Sequence, residues 1–245
     1  LSGTVMLPLW ATAAKRLKSR LAEREVPLLA LGSAFCFTIM LFNLPTPGGT
    51  TAHAVGATLF AILLGPWAAL IGVSVTLAIQ ALFFGDGGVA AFGANCLCMA
   101  CVQPFVGYGV YRIGLAVLGK RSFGNLIASA LGAYCGINAG AFAVAVLLGA
   151  QPLLFHSATG SPLYCPFRLS ITLPAMLLPH LLVIGVAEAS LTALVIQNAE
   201  KLGLVPHTLQ GNGGGKPTLR RSLGWVALCG LVVLAPFGLL AQGTA

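Results

Sequence analysis

One of the chain's four histidines, His53, stands in NLPTPGGTTAHAVGAT, just inside an apolar segment and behind a turn containing Pro45, Pro47, Gly48 and Gly49. Imidazole binds transition metals through either ring nitrogen. The glycines permit a tight turn or a close backbone approach, the prolines stiffen it, and Gly56 and Ala57 leave room on the next turn. One imidazole is not a metal site, and two readings stay open from the residues alone: a ligand awaiting partners, or a histidine satisfied within the fold. His180 and Glu188 lie eight residues apart in a later apolar stretch, roughly two helical turns, so they can share one face. For Glu188 the plainer reading is a buried carboxylate satisfied by a neighbouring backbone or hydroxyl.

Two other patterns invite chemistry and fail on spacing. In CLCMAC, Cys98 and Cys101 fall on one helix face while Cys96 points about 200° away from Cys98, and no facing C-x-x-C pair completes a tetrahedron. Packing is the reading for these cysteines, and seven cysteines in all exclude a fully paired disulfide framework. The stretch GNGGGKPT suggests a phosphate loop, but Lys216 is followed by Pro217 rather than Ser or Thr and no strand precedes it. It reads as a flexible tether.

The elements that must position these residues follow from composition. Of 245 residues 58% are hydrophobic and 7% charged, too few polar groups to cover a water-facing globule. Several apolar runs reach the length of about 20 residues that a crossing needs, without the period-2 alternation of a barrel. The expectation is an all-α integral membrane protein of about seven or eight spans: Leu1–Ala14, Val26–Asn43, Thr51–Gly65, Trp67–Phe84, Val89–Val117, Phe123–Gly149, Ser170–Gln197 and Leu223–Leu240. This divides the chain into a metal-binding core over residues 1–199, a Gly-rich linker over 200–222 and a further helix over 223–245.

The net charge of +8 is explained by placement. Lys15, Arg16, Lys18, Arg20, Arg24, Arg112, Lys120, Arg121, Lys201, Lys216, Arg220 and Arg221 fall on one side of that topology, leaving Arg168 alone opposite. Cytoplasmic loops carry such an excess, so both chain ends are expected outside and no nucleic-acid partner is needed. Asn43, His53, Asp86 of FFGDGG and His156 of LLFHSATGSPLYCPF then belong to the outer side, with His180 in the outer half of its span.

FNLPTPGGTTAHAVGATL, LGPWAA, QALFFGDGGVAAFGAN, PFVGYGVYR, GAYCGINAGA, QPLLFHSATGSPLYCP and LPAMLLPHLLVIGVAEA closely resemble, in this order, the CbiM/NikM family, the substrate-capturing S components of cobalt and nickel energy-coupling factor transporters. The resemblance runs from near residue 3 to about residue 197. It implies an S-component helical bundle and a near-planar set of metal nitrogens: the N-terminal amine, the next backbone amide, a second-position histidine side chain, and the histidine of TTAHA, which here is His53. The Met-His start that would supply the first three is lacking in LSGTVMLPLW, so the expectation is a short stretch upstream of Leu1. Asn43, Asp86, His156 and His180 become candidates for residues that orient His53 or close the site.

The resemblance further implies an importer of the bacterial or archaeal cell membrane. This chain would take Co²⁺ from outside, for cobalamin synthesis, with Ni²⁺ as the alternative. A transmembrane T component (CbiQ-like), two ATPase subunits (CbiO-like) and a small N subunit (CbiN-like) would complete it in the bilayer. The chain itself would be no enzyme, and the ion would be its cargo rather than a resident cofactor. Two other classes compete. A metal-driven secondary transporter would need a path of intramembrane acids, of which Glu188 is the sole mid-span example. A membrane enzyme would have to use His53, His156 and Asp86 without a nucleophile and base at motif spacing.

Overall fold

In hydrocarbon the backbone has no hydrogen-bond partner but itself, so apolar runs become helices. The computed structural model describes residues 2–20, 26–46, 50–119, 121–155 and 157–201. Its helices are α1 (Ser2–Arg20), α2 (Val26–Met40), α3 (Ala57–Leu64), α4 (Pro66–Phe84), α5 (Val89–Leu118), α6 (Ser122–Leu154) and α7, which runs from Leu169 to Lys201. The architecture is an all-α membrane fold. Four of the seven, α4 to α7, are long and apolar enough to cross a membrane, and α2 is a shorter apolar helix.

The differences from the expected spans are local and have physical causes. The first helix continues past Ala14 through Lys15, Arg16 and Lys18, because straight-chain basic residues are good helix formers. Span two stops at Met40 instead of Asn43, and Asn43 sits in the link that follows. An antiparallel hairpin then forms, β1 (Leu44–Thr46) with β2 (Thr50–Ala52), pairing Leu44 with Ala52 and Thr46 with Thr50. Span three therefore begins at Ala57, not Thr51. Its eight residues rise about 12 Å, too little for a crossing, and Ala57 to Ile62 are all buried. The expected linker begins inside α7, which takes in residues 200 and 201; the rest of it and the final helix lie outside the described residues, as do His156 and the basic residues Arg24, Lys120, Lys216, Arg220 and Arg221.

Three of the long helices contain a π turn, at Gln80–Phe84 in α4, Cys96–Val102 in α5 and His180–Ile184 in α7. Each such turn inserts about one residue relative to the α-helical count. The α4–α5 turn is FGDGG, where Gly85, Gly87 and Gly88 have φ of 69°, 72° and 69°. Side chains rarely tolerate that region, which accounts for three glycines around Asp86.

Close packing sets the helix directions. α5 and α6 form the most extensive pair. A Cβ at Gly136 would lie 2.8 Å from the Gln103 carbonyl oxygen, and one at Gly132 would lie 2.7 Å from that of Gly107, so the two backbones approach antiparallel through small residues. α6 and α7 are also antiparallel, with the Thr172 hydroxyl donating to the Ala145 carbonyl at 2.8 Å and the Tyr134 hydroxyl to that of Leu181 at 3.1 Å. α1 lies antiparallel to α4: Trp10 Nε1 donates to Ser74 Oγ at 2.9 Å, and the Arg16 guanidinium sits 4.7 Å over Trp67. Lys15, Arg16, Lys18 and Lys201 therefore gather at one end of the bundle. The hairpin and the FGDGG turn lie at the other.

Candidate metal centre

At the hairpin end a cavity of about 380 Å³ opens between the helices, and His53, Asp86 and His180 all line it. Three of the five expected site residues thus meet. Asn43 is exposed and is not part of the lining, and His156 lies outside the described residues.

His53 sits on the four-residue segment between β2 and α3, outside the membrane-crossing helices, and is half-buried. Its Nδ1 donates to the Ala54 carbonyl at 3.1 Å, since a carbonyl can only accept. That bond leaves the Nε2 lone pair as the ring's remaining acceptor, the kind of nitrogen that can ligate a metal. Burial lowers the His53 pKa below its ordinary 6.5, against the opposing influence of the Ala54 carbonyl and of Asp86. The ring is therefore held neutral, as ligation requires. His180 is buried at the first position of the α7 π turn, and its Nδ1 donates to the Met176 carbonyl at 2.7 Å. It too presents Nε2 as its remaining acceptor.

Behind His53 the loop is held by a carboxylate. Glu188 is 0% exposed. Its oxygens accept the N–H of Val55 at 2.9 Å and of Gly56 at 2.9 and 3.1 Å, and Gln103 Nε2 donates to it at 3.3 Å. These donors stand at the start of α3, where the helix dipole favours an anion. The plainer reading of Glu188 holds: backbone amides satisfy it. The π turn also explains how His180 and Glu188 serve adjacent walls. Eight α-helical steps overshoot two turns by about 80°, whereas seven effective steps fall about 20° short.

Sequence reasoning missed the amides. Gln80, Asn95 and Gln103 line the same cavity. Gln80 Nε2 and Gln103 Oε1 are buried with no hydrogen-bond partner among the described residues, which leaves polar atoms in an otherwise largely apolar wall. Asn95 Nδ2 donates to the Gly87 carbonyl at 3.2 Å, tying α5 to the turn that carries Asp86. A signal was present: Gln80 and Gln103 are polar residues inside long apolar runs. Three of the chain's four methionines, Met40, Met99 and Met176, line the cavity as well.

CLCMAC forms the α5 π turn, so the regular 100° wheel does not describe it. Cys96 and Cys98 are buried, and all six cysteines of the described residues are free thiols. Among the described residues no group of three His, Cys, Asp or Glu converges closely enough to hold a metal. What the cavity presents is two imidazoles and three amides, from His53, His180, Gln80, Asn95 and Gln103.

Comparison with known proteins places these features in a family. The model described as "cobalt uptake substrate-specific transmembrane region" matches residues 1–203. The chain is 49% identical over 245 residues to a probable fused nickel transport protein, LarMN, of Lactiplantibacillus plantarum, covering 99% of this chain and 71% of that protein. It is 47% identical to the fused nickel transport protein NikMN of Rhodobacter capsulatus, covering 98% of this chain and 68% of that one. A solved structure described as a truncated transition metal transporter superposes with a TM-score of 0.78 at 52% identity, over 82% of this chain and 92% of that one.

Proposed function

We propose that this chain, which belongs to the CbiM family of cobalt uptake substrate-specific transmembrane proteins, captures a divalent nickel or cobalt ion in the cavity beside His53 and passes it to an ATP-driven importer. The carrying observation is the pair of imidazoles, His53 and His180, in one cavity with Nδ1 of each tied to a carbonyl. His53 is the metal ligand in this reading. An N-terminal amine, the following amide nitrogen and a second-position histidine complete a planar nitrogen set, a geometry that suits Ni(II) and low-spin Co(II) better than tetrahedral Zn(II). The N-terminal end of α1 supports this: a Cβ at Gly93, two residues from Asn95, would lie 2.6 Å from the Gly3 nitrogen. Asp86 and His180 orient the ion or close the cavity over it.

The expectation from the sequence motifs is Co²⁺. Two relatives whose matches span nearly the whole chain are named for nickel, and on that ground we place Ni²⁺ first and Co²⁺ second. Both are named as fused proteins and their matches reach past residue 203. We therefore read the C-terminal segment as leading toward an N-type region, which a separate N subunit supplies in unfused systems. ATP hydrolysis belongs to partner subunits docked through a T component at the basic end, and the cavity faces outside. A secondary transporter gains no support from Glu188, whose oxygens are occupied by backbone amides.

The test is calorimetric titration of Ni²⁺ and Co²⁺ into three purified forms: one carrying a Met-His start, one beginning at Leu1, and the first with His53→Ala. Tight binding by the first form alone is expected, with the ratio of the two affinities naming the ion. Equal binding by the form that begins at Leu1 would rule out the planar nitrogen set. Metal-stimulated ATPase activity of the assembled complex separates an importer subunit from a secondary transporter.

A further inference from the structure

We propose that Glu188 is a positioning residue for the metal site: from a helix that supplies no part of the planar nitrogen set, its carboxylate fixes the loop on which His53 stands. The inference rests on the reading of His53 as a ligand. The imidazole's bond to the adjacent Ala54 carbonyl selects a tautomer but does not hold the loop, since donor and acceptor travel together. The hold comes two residues later. Val55 and Gly56 give their N–H groups to Glu188, 133 and 132 residues away in sequence. Gly56 stands at φ 73°, and a Cβ there would lie 3.2 Å from the Phe35 ring and 3.4 Å from Ile39. The loop is gripped between α7 on one side and α2 on the other.

Glu188 accepts from two amide N–H groups and the Gln103 amide, and no cation is paired with it among the hydrogen bonds described. A carboxylate retained in an apolar bundle solely to satisfy amides is a costly device, and a neutral side chain of similar shape reproduces it poorly. Glutamine has one acceptor oxygen for two N–H groups, and its own NH₂ then opposes one of them. Gln103 joins the same contact while lining the cavity, so the clamp and the ion's surroundings are one connected set.

The experiment uses the chain with a Met-His start added ahead of Leu1, purified in detergent, in four forms: wild type, Glu188→Gln, His53→Ala and Tyr111→Phe. The last removes a buried hydrogen bond to Asn125 away from the cavity and reports what lost stability alone does. Ni²⁺ and Co²⁺ affinities are titrated, and the absorption spectrum of the bound ion is recorded. Expected for Glu188→Gln is a loss of about 10- to 100-fold in affinity, the range for residues that orient ligands, with a shifted spectrum. Tyr111→Phe keeps wild-type affinity and spectrum. Should Glu188→Gln fail to fold, Gly56→Ala breaks the same grip from the loop side and is expected to show the same two changes. Wild-type affinity and spectrum in the folded Glu188→Gln protein, or in Gly56→Ala where that variant stands in, overturn the proposal while His53→Ala loses binding. If His53→Ala itself binds as wild type does, the ligand assignment is what fails.

Discussion

His53 is held neutral by its burial, and this has a signature in the absence of metal. Its folded-state pKa lies below the 6.5 of an ordinary imidazole, so the unfolded chain takes up a proton at a pH where the folded one does not. Stability is therefore full above 6.5 and falls as pH drops below it, levelling once the folded ring protonates. The melting temperature of metal-free protein should decline between pH 7 and 5, and His53→Gln should decline less over the same interval. Equal slopes would mean that burial does not hold the ring neutral. The cysteines give a contrasting expectation. Since Cys96 and Cys98 are packing residues, replacing Cys96, Cys98 and Cys101 with alanine should lower the melting temperature but leave Ni²⁺ affinity within about twofold of wild type, as titration would show. His53 was legible in the sequence because its turn chemistry and its motif are local. The cavity amides were not, because Gln80 and Gln103 come to His53 and His180 from separate helices and no local pattern announces their meeting.

At the scale of elements, the π turns decide which side chains reach the cavity. Gln80 and His180 begin theirs, and Gln103 directly follows the third. Deleting Leu182 should convert the α7 turn to α-helix and rotate His180 by about 100° relative to Glu188. Helix content by circular dichroism is expected to persist while Ni²⁺ binding is lost; retained binding would show that the register does not matter. The α5–α6 seam offers a second test. Gly136→Val introduces side-chain atoms where even a Cβ lies 2.8 Å from the Gln103 carbonyl oxygen, so the helices must separate at a cost of about 1–3 kcal/mol. Thermal unfolding should register the loss. The long spans were readable from hydropathy to within a few residues, because length and composition settle them. The last two residues of β2, the loop of His53 and the eight-residue α3 were read as one span, since apolar content does not distinguish a buried half-helix from a crossing one.

For the whole molecule, the basic residues and the cavity occupy opposite ends. Lys15, Arg16, Lys18 and Lys201 share the end where α4 and α6 begin, while Asp86, the hairpin and Arg168 lie at the other. With native cysteines replaced, a cysteine at exposed Ser161 should react with a membrane-impermeant thiol reagent added outside intact cells, and one at exposed Lys18 only after permeabilisation. The opposite pattern would invert the proposed route of the ion. Charge counting in the sequence anticipated this polarity. What it left hidden was how the cavity end is built, because its walls join residues more than a hundred positions apart.

The clamp between Gly56 and Glu188 spans 132 residues, which bears on when the site comes into being. During synthesis at roughly 5–20 residues per second, the loop of His53 waits about 7–26 seconds before its anchor is made, and longer before α7 enters the bilayer. The other walls of the cavity are by then synthesised, while the carboxylate that accepts from Val55 and Gly56 is not. Under the proposed function the site is therefore the last part of the core to mature, and a chain that stops short of α7 would hold the ion without the anchor of its His53 loop.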